Sequence, residues 1–309
     1  MSTAAKIGRV SIRITNGFVN LCVLIAVLLL LAFGSYAIWD SGQVHAAASA
    51  RQYERYNPTI ESDGPSFADL QAVNPDVFGW LTVYGTNIDY PVVQGQNNMR
   101  YVNTDARGQH SLSGAIFLDS RSDPNFSDFS SIVYGHHMEN RVMFGEIAEF
   151  TDRSYFEARR YGMLYFEGRE HGLEFFAFVH ADAYDTTVFR NQITEPKERQ
   201  AYLDMLLQIA MHTRPDVQVT VNDRIVLLST CTPNSTNGRD ILIGKITNNV
   251  SNDPFQTEQV DTVIPIPGID MLPGLWAGAG LWVQISIVAL VLLLILSVLI
   301  LVCTKRKRR

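Results

Sequence analysis

Residues 224–231 read RIVLLSTC, an apolar run that stops at a cysteine, with the turn-forming Thr232, Pro233 and Asn234 directly behind it. Branched and aliphatic residues in so short a segment predict a β-strand. A strand end carries its side chain on a rigid support, and a following loop leaves room for a substrate. Working outward, similar short runs separated by turn residues fall at 77–84, 88–93, 115–119, 131–134, 163–166, 173–180 and 241–246. One segment breaks the pattern. Residues 195–212 (EPKERQAYLDMLLQIAMH) place Leu203, Leu206, Leu207 and Ala210 at helical spacing, with Pro196 suited to the first turn and Pro215 ending the run. Eight strands with one inserted helix predict a mainly β fold, a barrel or folded sheet with helical decoration. Ahead of the strands, 43–56 reads as a polar helix. Residues 66–73 read as a second, short helix capped by Ser66 and stopped before Pro75.

The ends of the chain differ from its middle. Residues 18–38 and 281–302 carry no charge, and each reaches the roughly 20 apolar residues that a helix needs to cross a bilayer. Lys6, Arg9 and Arg13 precede the first, and five basic residues from Lys305 to Arg309 follow the second. Basic flanks stay in the cytoplasm, so both termini are expected inside and the middle outside. A cleaved secretion signal is the competing reading of the N-terminus, with small residues at Ala46–Ala50, but they sit well past the apolar block. Either way the middle is exported. The middle holds all 31 acidic residues of the chain and 17 of its 25 basic ones, a formal charge of −14. Such a field repels phosphate backbones and argues against a nucleic-acid partner.

Cys22 and Cys303 belong to the two apolar segments, which leaves Cys231 alone in the exported part with no partner there for a disulfide. A lone external thiol is either a small buried hydrophobe or a reactive group. Reactivity needs a nearby base and an oxyanion donor. Among seven histidines, His136 and His137 follow the apolar run 131–134 through Gly135, much as Cys231 ends its own run. Spacing alone does not raise them above structural histidines, and no third and fourth ligand at convincing spacing makes them half of a metal site. The turn at Asp119, Ser120 and Arg121 reads as shaping a loop rather than as acid–base machinery.

LSTCT (228–232) followed by Arg239 resembles the active-site signature of the sortase family, in which Cys and a downstream Arg share a pocket. IVYGHHM (132–138) resembles the histidine motif of class B sortases. FGWL (78–81), NIDYPVVQ (87–94) and GAIFLD (114–119) resemble the opening strands of that class. The resemblance covers roughly residues 71–246. It implies a sortase-type eight-stranded β-barrel with N-terminal helices, one inserted helix and two transmembrane helices. It also implies Cys231 as nucleophile, His136 as acid–base, Arg239 on the oxyanion, and Thr230 lining the substrate pocket. No cofactor or metal is implied. The partners implied are secreted proteins with a C-terminal sorting signal as donors, and as acceptor an amine of a peptidoglycan precursor or a pilin lysine. The implied layout is a basic tail (1–17), a span (18–39), a helical segment (40–76), the catalytic barrel (77–250), a linker (251–280), a second span (281–303) and a basic tail (304–309).

Two features depart from the pattern. The second span resembles pilin-polymerising sortases, whose Asp-Pro-aromatic lid precedes the barrel, whereas Asp253-Pro254-Phe255 follows it. Some class B relatives carry an acidic residue where Pro233 stands. Two other functions fit the exported cysteine: a peptidase that releases its thioester to water, and a non-catalytic surface domain with an inert thiol.

Overall fold

The computed structural model describes residues 3–60, 64–231 and 237–255. The described residues divide into two units, one ending at Gln43 and the other beginning at Val44. Helix α1 runs from Thr3 to Ala48, and its part Thr15–Trp39 is long and apolar enough to cross a membrane. The predicted second span and most of the predicted linker lie outside the described residues.

The second unit is built on nine strands: β1 (Val77–Val83), β2 (Asp89–Val93), β3 (Ile116–Leu118), β4 (Ser130–Tyr134), β5 (Tyr161–Phe166), β6 (Arg169–Asp182), β7 (Ala210–Thr213), β8 (Arg224–Cys231) and β9 (Gly238–Thr247). Their order is β5-β1-β2-β3-β4-β8-β9-β6-β7, and a further pairing of β5 with β6 closes the first eight into a barrel. Closure leaves those eight without a free edge. β8 lies parallel to the chain-distant β4 on one side and antiparallel to its successor β9 on the other.

Both faces of this central region are covered. Val226, Leu228 and Leu242 join the barrel core with Trp80, Phe166 and Phe175. The alternate residues Ile225, Leu227, Ile241 and Ile243 join a second cluster with Leu203 and Leu206 of helix α4 (Pro196–Ile209). The two-residue alternation assigns each side chain to one layer. Burial on both sides is why RIVLL reads as a continuous apolar run rather than an alternating one.

All eight predicted strands are present, and β7 is an addition. The helix expected over 195–212 ends at Ile209, and Ala210–Thr213 turn extended to pair with Ala177–Val179 of β6. Sheet hydrogen bonds available at β6 outweigh a local helical preference there. A second correction concerns 43–56. α1 continues to Ala48, Ser49 adopts an extended conformation, and 3-10 turns follow at Ala50–Gln52 and Glu54–Tyr56. Tertiary partners hold the chain in that path: Tyr90 Oη donates to Ala48 O at 2.9 Å, and Arg107 Nη2 to Gln52 O at 2.8 Å. The expected Ser66 cap is present on helix α2 (Phe67–Val73). It forms a reciprocal capping box, with Ser66 N donating to Asp69 Oδ2 at 2.7 Å. No pattern in the sequence announces the 3-10 segment Gly145–Thr151 or helix α3 (Arg153–Ala158), which Asp152 caps.

One buried group makes the barrel pH-sensitive. His171, fully enclosed at 0% exposure, stacks on Phe166 with ring centroids 3.8 Å apart, and neither ring nitrogen has a hydrogen-bond partner. Burial, aided by the charges of Arg169 and Arg224, pushes its pKa down to about 4. Unfolded chains protonate this imidazole near pH 6.5, while the folded one resists until about pH 4. Stability is therefore lost as pH falls through that window, by about 3 kcal/mol at most. Thermal unfolding of wild type and His171→Leu should show a steeper acid-side decline for wild type.

Candidate active site

Strand register gathers the three predicted catalytic positions. Cys231 is the last residue of β8 and pairs directly with Arg239 of β9. Opposed residues in an antiparallel ladder share a face. On the other side of β8, Tyr134 is level with Ser229, and Gly135 N donates to Ser229 O at 3.2 Å. Carrying that register two residues further sets His136 level with Cys231. Positions 136, 231 and 239 thus occupy the same end of three adjacent strands and the same face. That face continues the α4-side layer of Ile225, Leu227, Ile241 and Ile243. The described part of Cys231 is its backbone.

His136 is half-buried, and its Nε2 lies 2.8 Å from the carbonyl oxygen of Val102. A carbonyl only accepts, so this contact places a hydrogen on Nε2 and leaves Nδ1 to exchange protons. Val102 ends a 3-10 turn, Arg100–Val102, in the β2–β3 loop. Gly114 lies against that turn at φ +59°, and a Cβ there would sit 2.4 Å from Tyr101 O and 2.6 Å from Val102 O. Only glycine allows that approach. Gly135 is likewise enclosed, since a Cβ would meet Ile116 Cδ1 at 2.5 Å.

Arg239 is partly buried and donates from Nη1 to Gly238 O at 2.9 Å. Its charge acts on Tyr134, which stands one alternation before His136 on β4. Burial first, then the Asp119 carboxylate, raise the Tyr134 pKa well above the phenol range, and Arg239 opposes them. Only the place of Tyr134 two residues before His136 marks it in the sequence as sharing that face. The Val102 carbonyl had no sequence signal.

Thr230 is 2% exposed, pairs with Asp240 across the ladder, and has an unpartnered Oγ1. By alternation it lies on the opposite face of β8 from positions 229 and 231. Asp240, also on that face, accepts from His180 Nδ1 at 3.0 Å, and burial raises its pKa despite that partner. His110 bridges Thr104, and His212 Nε2 bonds Thr151 O at 2.7 Å. His137, next to His136, bridges Met143. Among the described residues no group of three or more His, Cys, Asp or Glu side chains is placed to hold a metal. Asp253-Pro254-Phe255 packs against the β1–β2 turn, with the Phe255 ring over Gly85 and beneath Arg159, whose Cζ is 5.3 Å from the ring centroid. Pro233 lies outside the described residues.

A family model for the sortase domain matches residues 81–247, more than half of the chain. Sortase B of Staphylococcus aureus is 33% identical over 187 residues, which is 59% of this chain and 75% of that protein. Among solved structures, sortase B from the type II pilus of Streptococcus pneumoniae is 48% identical with a TM-score of 0.52, covering 60% of this chain and 100% of that one. A Streptococcus pyogenes class B sortase involved in pilus biogenesis is 39% identical with a TM-score of 0.54, covering 58% and 97%. An eight-stranded barrel closed in this order and these matches define the class: the chain belongs to the sortase family of cysteine transpeptidases. Within that family it is class B-like.

Proposed function

We propose that this chain is a membrane-anchored transpeptidase that cleaves a C-terminal sorting signal and passes the new acyl group to an amine, with Cys231, His136 and Arg239 as its catalytic residues. The alignment of these three positions at one end of β4, β8 and β9 carries the reading. In the proposed reaction His136 Nδ1 accepts the thiol proton and Cys231 attacks the scissile carbonyl as a thiolate. Arg239 stabilises the oxyanion of the tetrahedral intermediate. His136 returns the proton to the departing amine, the carbon–nitrogen bond breaks and a thioester remains. An incoming amine gives its proton to His136, attacks the thioester and expels the Cys231 sulfur. Thr230 enters as the buried neighbour behind the nucleophile, bearing on the substrate pocket through the strand it shares.

The acceptor we infer is a pilin lysine, because the two solved relatives at 48% and 39% identity are both tied to pili. A peptidoglycan-precursor amine is the alternative acceptor. Anchoring rests on the apolar helix Thr15–Trp39 and its basic flank. Holding enzyme, donor and acceptor at one surface raises their effective concentration. The test uses a quenched-fluorescent pentapeptide library with hydroxylamine as acceptor amine. Transpeptidation predicts that the best-cleaved member yields the hydroxamate, whereas identical carboxylate product with and without the amine would make the chain a hydrolase.

Gly114→Ala gives a finer check on His136. The added methyl must displace Val102 O, so the imidazole loses its anchor. Turnover should fall about tenfold to a hundredfold, with the titratable thiol content unchanged.

A further inference from the structure

Asp119 follows β3, and its side chain is fully buried at 0% exposure. Six hydrogen-bond donors converge on its carboxylate. Oδ1 accepts from Arg121 N and Arg121 Nε, both at 2.9 Å, and from Asn191 Nδ2 at 3.1 Å. Oδ2 accepts from Arg121 Nη2 at 2.9 Å, Asn98 Nδ2 at 3.0 Å and Tyr134 Oη at 3.2 Å. Burial alone would favour the neutral acid, but the bonds from Arg121 and Asn98 outweigh it and hold the group ionised. So complete a shell around one buried charge is costly to assemble and fixes every group that contributes to it.

The contributing groups come from different loops, and each loop leads to the candidate site. Asn98 lies in the β2–β3 loop, which also carries Val102 and its contact to His136. Arg121 lies in the β3–β4 loop, with Ser120 N donating to Asn98 Oδ1 at 2.7 Å. Asn191 lies in the β6–α4 loop, whose first residue Ala183 donates its N–H to Asn237 O at 2.7 Å, two residues before Arg239. Tyr134 shares the face of His136 and feels the charge of Arg239. Gln94 Nε2 and Gln192 Nε2 tie the same loops from outside, on Asp119 O at 2.9 Å and Arg121 O at 3.3 Å. Among the described residues, Asp119 hydrogen-bonds neither His136 nor Arg239.

We propose that Asp119 is a positioning residue that clasps the β2–β3, β3–β4 and β6–α4 loops into the wall on which the donor peptide lies. This rests on the reading above that a donor binds beside Cys231. The full chain is assayed with the best-cleaved library pentapeptide as donor and hydroxylamine as acceptor, with active enzyme counted by thioester titration. Asp119→Asn keeps the shape and removes the charge, turning an amide N–H₂ toward donors that need an acceptor. Donor KM should rise about tenfold, while kcat per active enzyme and the pH profile of Cys231 alkylation by iodoacetamide stay within threefold. Asn191→Ala, which removes one arm, should raise donor KM two- to threefold. Unchanged KM in both variants overturns the proposal, and so does a loss seen only as a smaller titratable fraction. Should Asp119→Asn fail to fold, an unchanged KM in Asn191→Ala is sufficient to overturn it. Absence of any thioester in the wild-type chain would instead reject the transpeptidase reading itself.

Discussion

Cys231→Ala is expected to abolish acyl transfer, a loss of about 10⁴-fold or more, while leaving the barrel folded. The reaction proposed here passes through a covalent thioester, and without the sulfur no bond can form to the acyl carbon. Arg239 and the bound peptide would still be in place, yet electrostatic stabilisation without a nucleophile retains only a small part of such rate enhancements. The substitution removes little volume, and position 231 ends its strand, so the layers around Leu227 and Leu228 should hold. A thiol probe should lose its fast-reacting site in the variant. Cleavage of the donor peptide at an undiminished rate would refute the assignment.

Arg239→Ala carries the second large effect. The ladder sets Arg239 directly across from Cys231, where a guanidinium can meet the oxygen of a carbonyl under attack. That oxygen becomes fully charged only in the tetrahedral intermediate, so the loss should fall on kcat more than on KM. Removing one such donor costs about 2.7–4 kcal/mol, or roughly 10²–10³ in turnover. Arg239→Lys keeps the charge but loses the planar fork and should recover only part of the activity. Steady-state kinetics with the library-selected donor provide the check. Equal losses in the Ala and Lys variants would point to geometry, and an effect confined to KM would place Arg239 on substrate binding alone.

How much of this was readable from the sequence depends on the distance over which each feature is determined. Strands such as β8 and β9 are buried on both faces, so their apolar runs announce them directly. β7 was hidden because Ala210, Met211 and His212 continue a helical stripe, and only pairing with β6 makes them extended. The site divides the same way. Cys231, His136 and Arg239 each stand beside a recognisable motif, and order along the chain was enough to group them. Their meeting depends on β8 inserting parallel to β4, a pairing across about ninety residues that no local pattern encodes. The supporting groups were harder still. Val102 acts through a backbone oxygen, which any residue would supply, and Asp119 reads as an ordinary loop carboxylate until Asn98, Tyr134 and Asn191 close around it.

The central claim is that the sulfur of Cys231 carries the acyl group between donor and acceptor. Intact-protein mass spectrometry of the full chain, mixed with donor peptide and no amine, tests it most directly. A mass increase equal to the N-terminal peptide fragment less one water, mapped to Cys231 and discharged by hydroxylamine, is the predicted result. Donor cleavage with no adduct, or an adduct on any other residue, would contradict it.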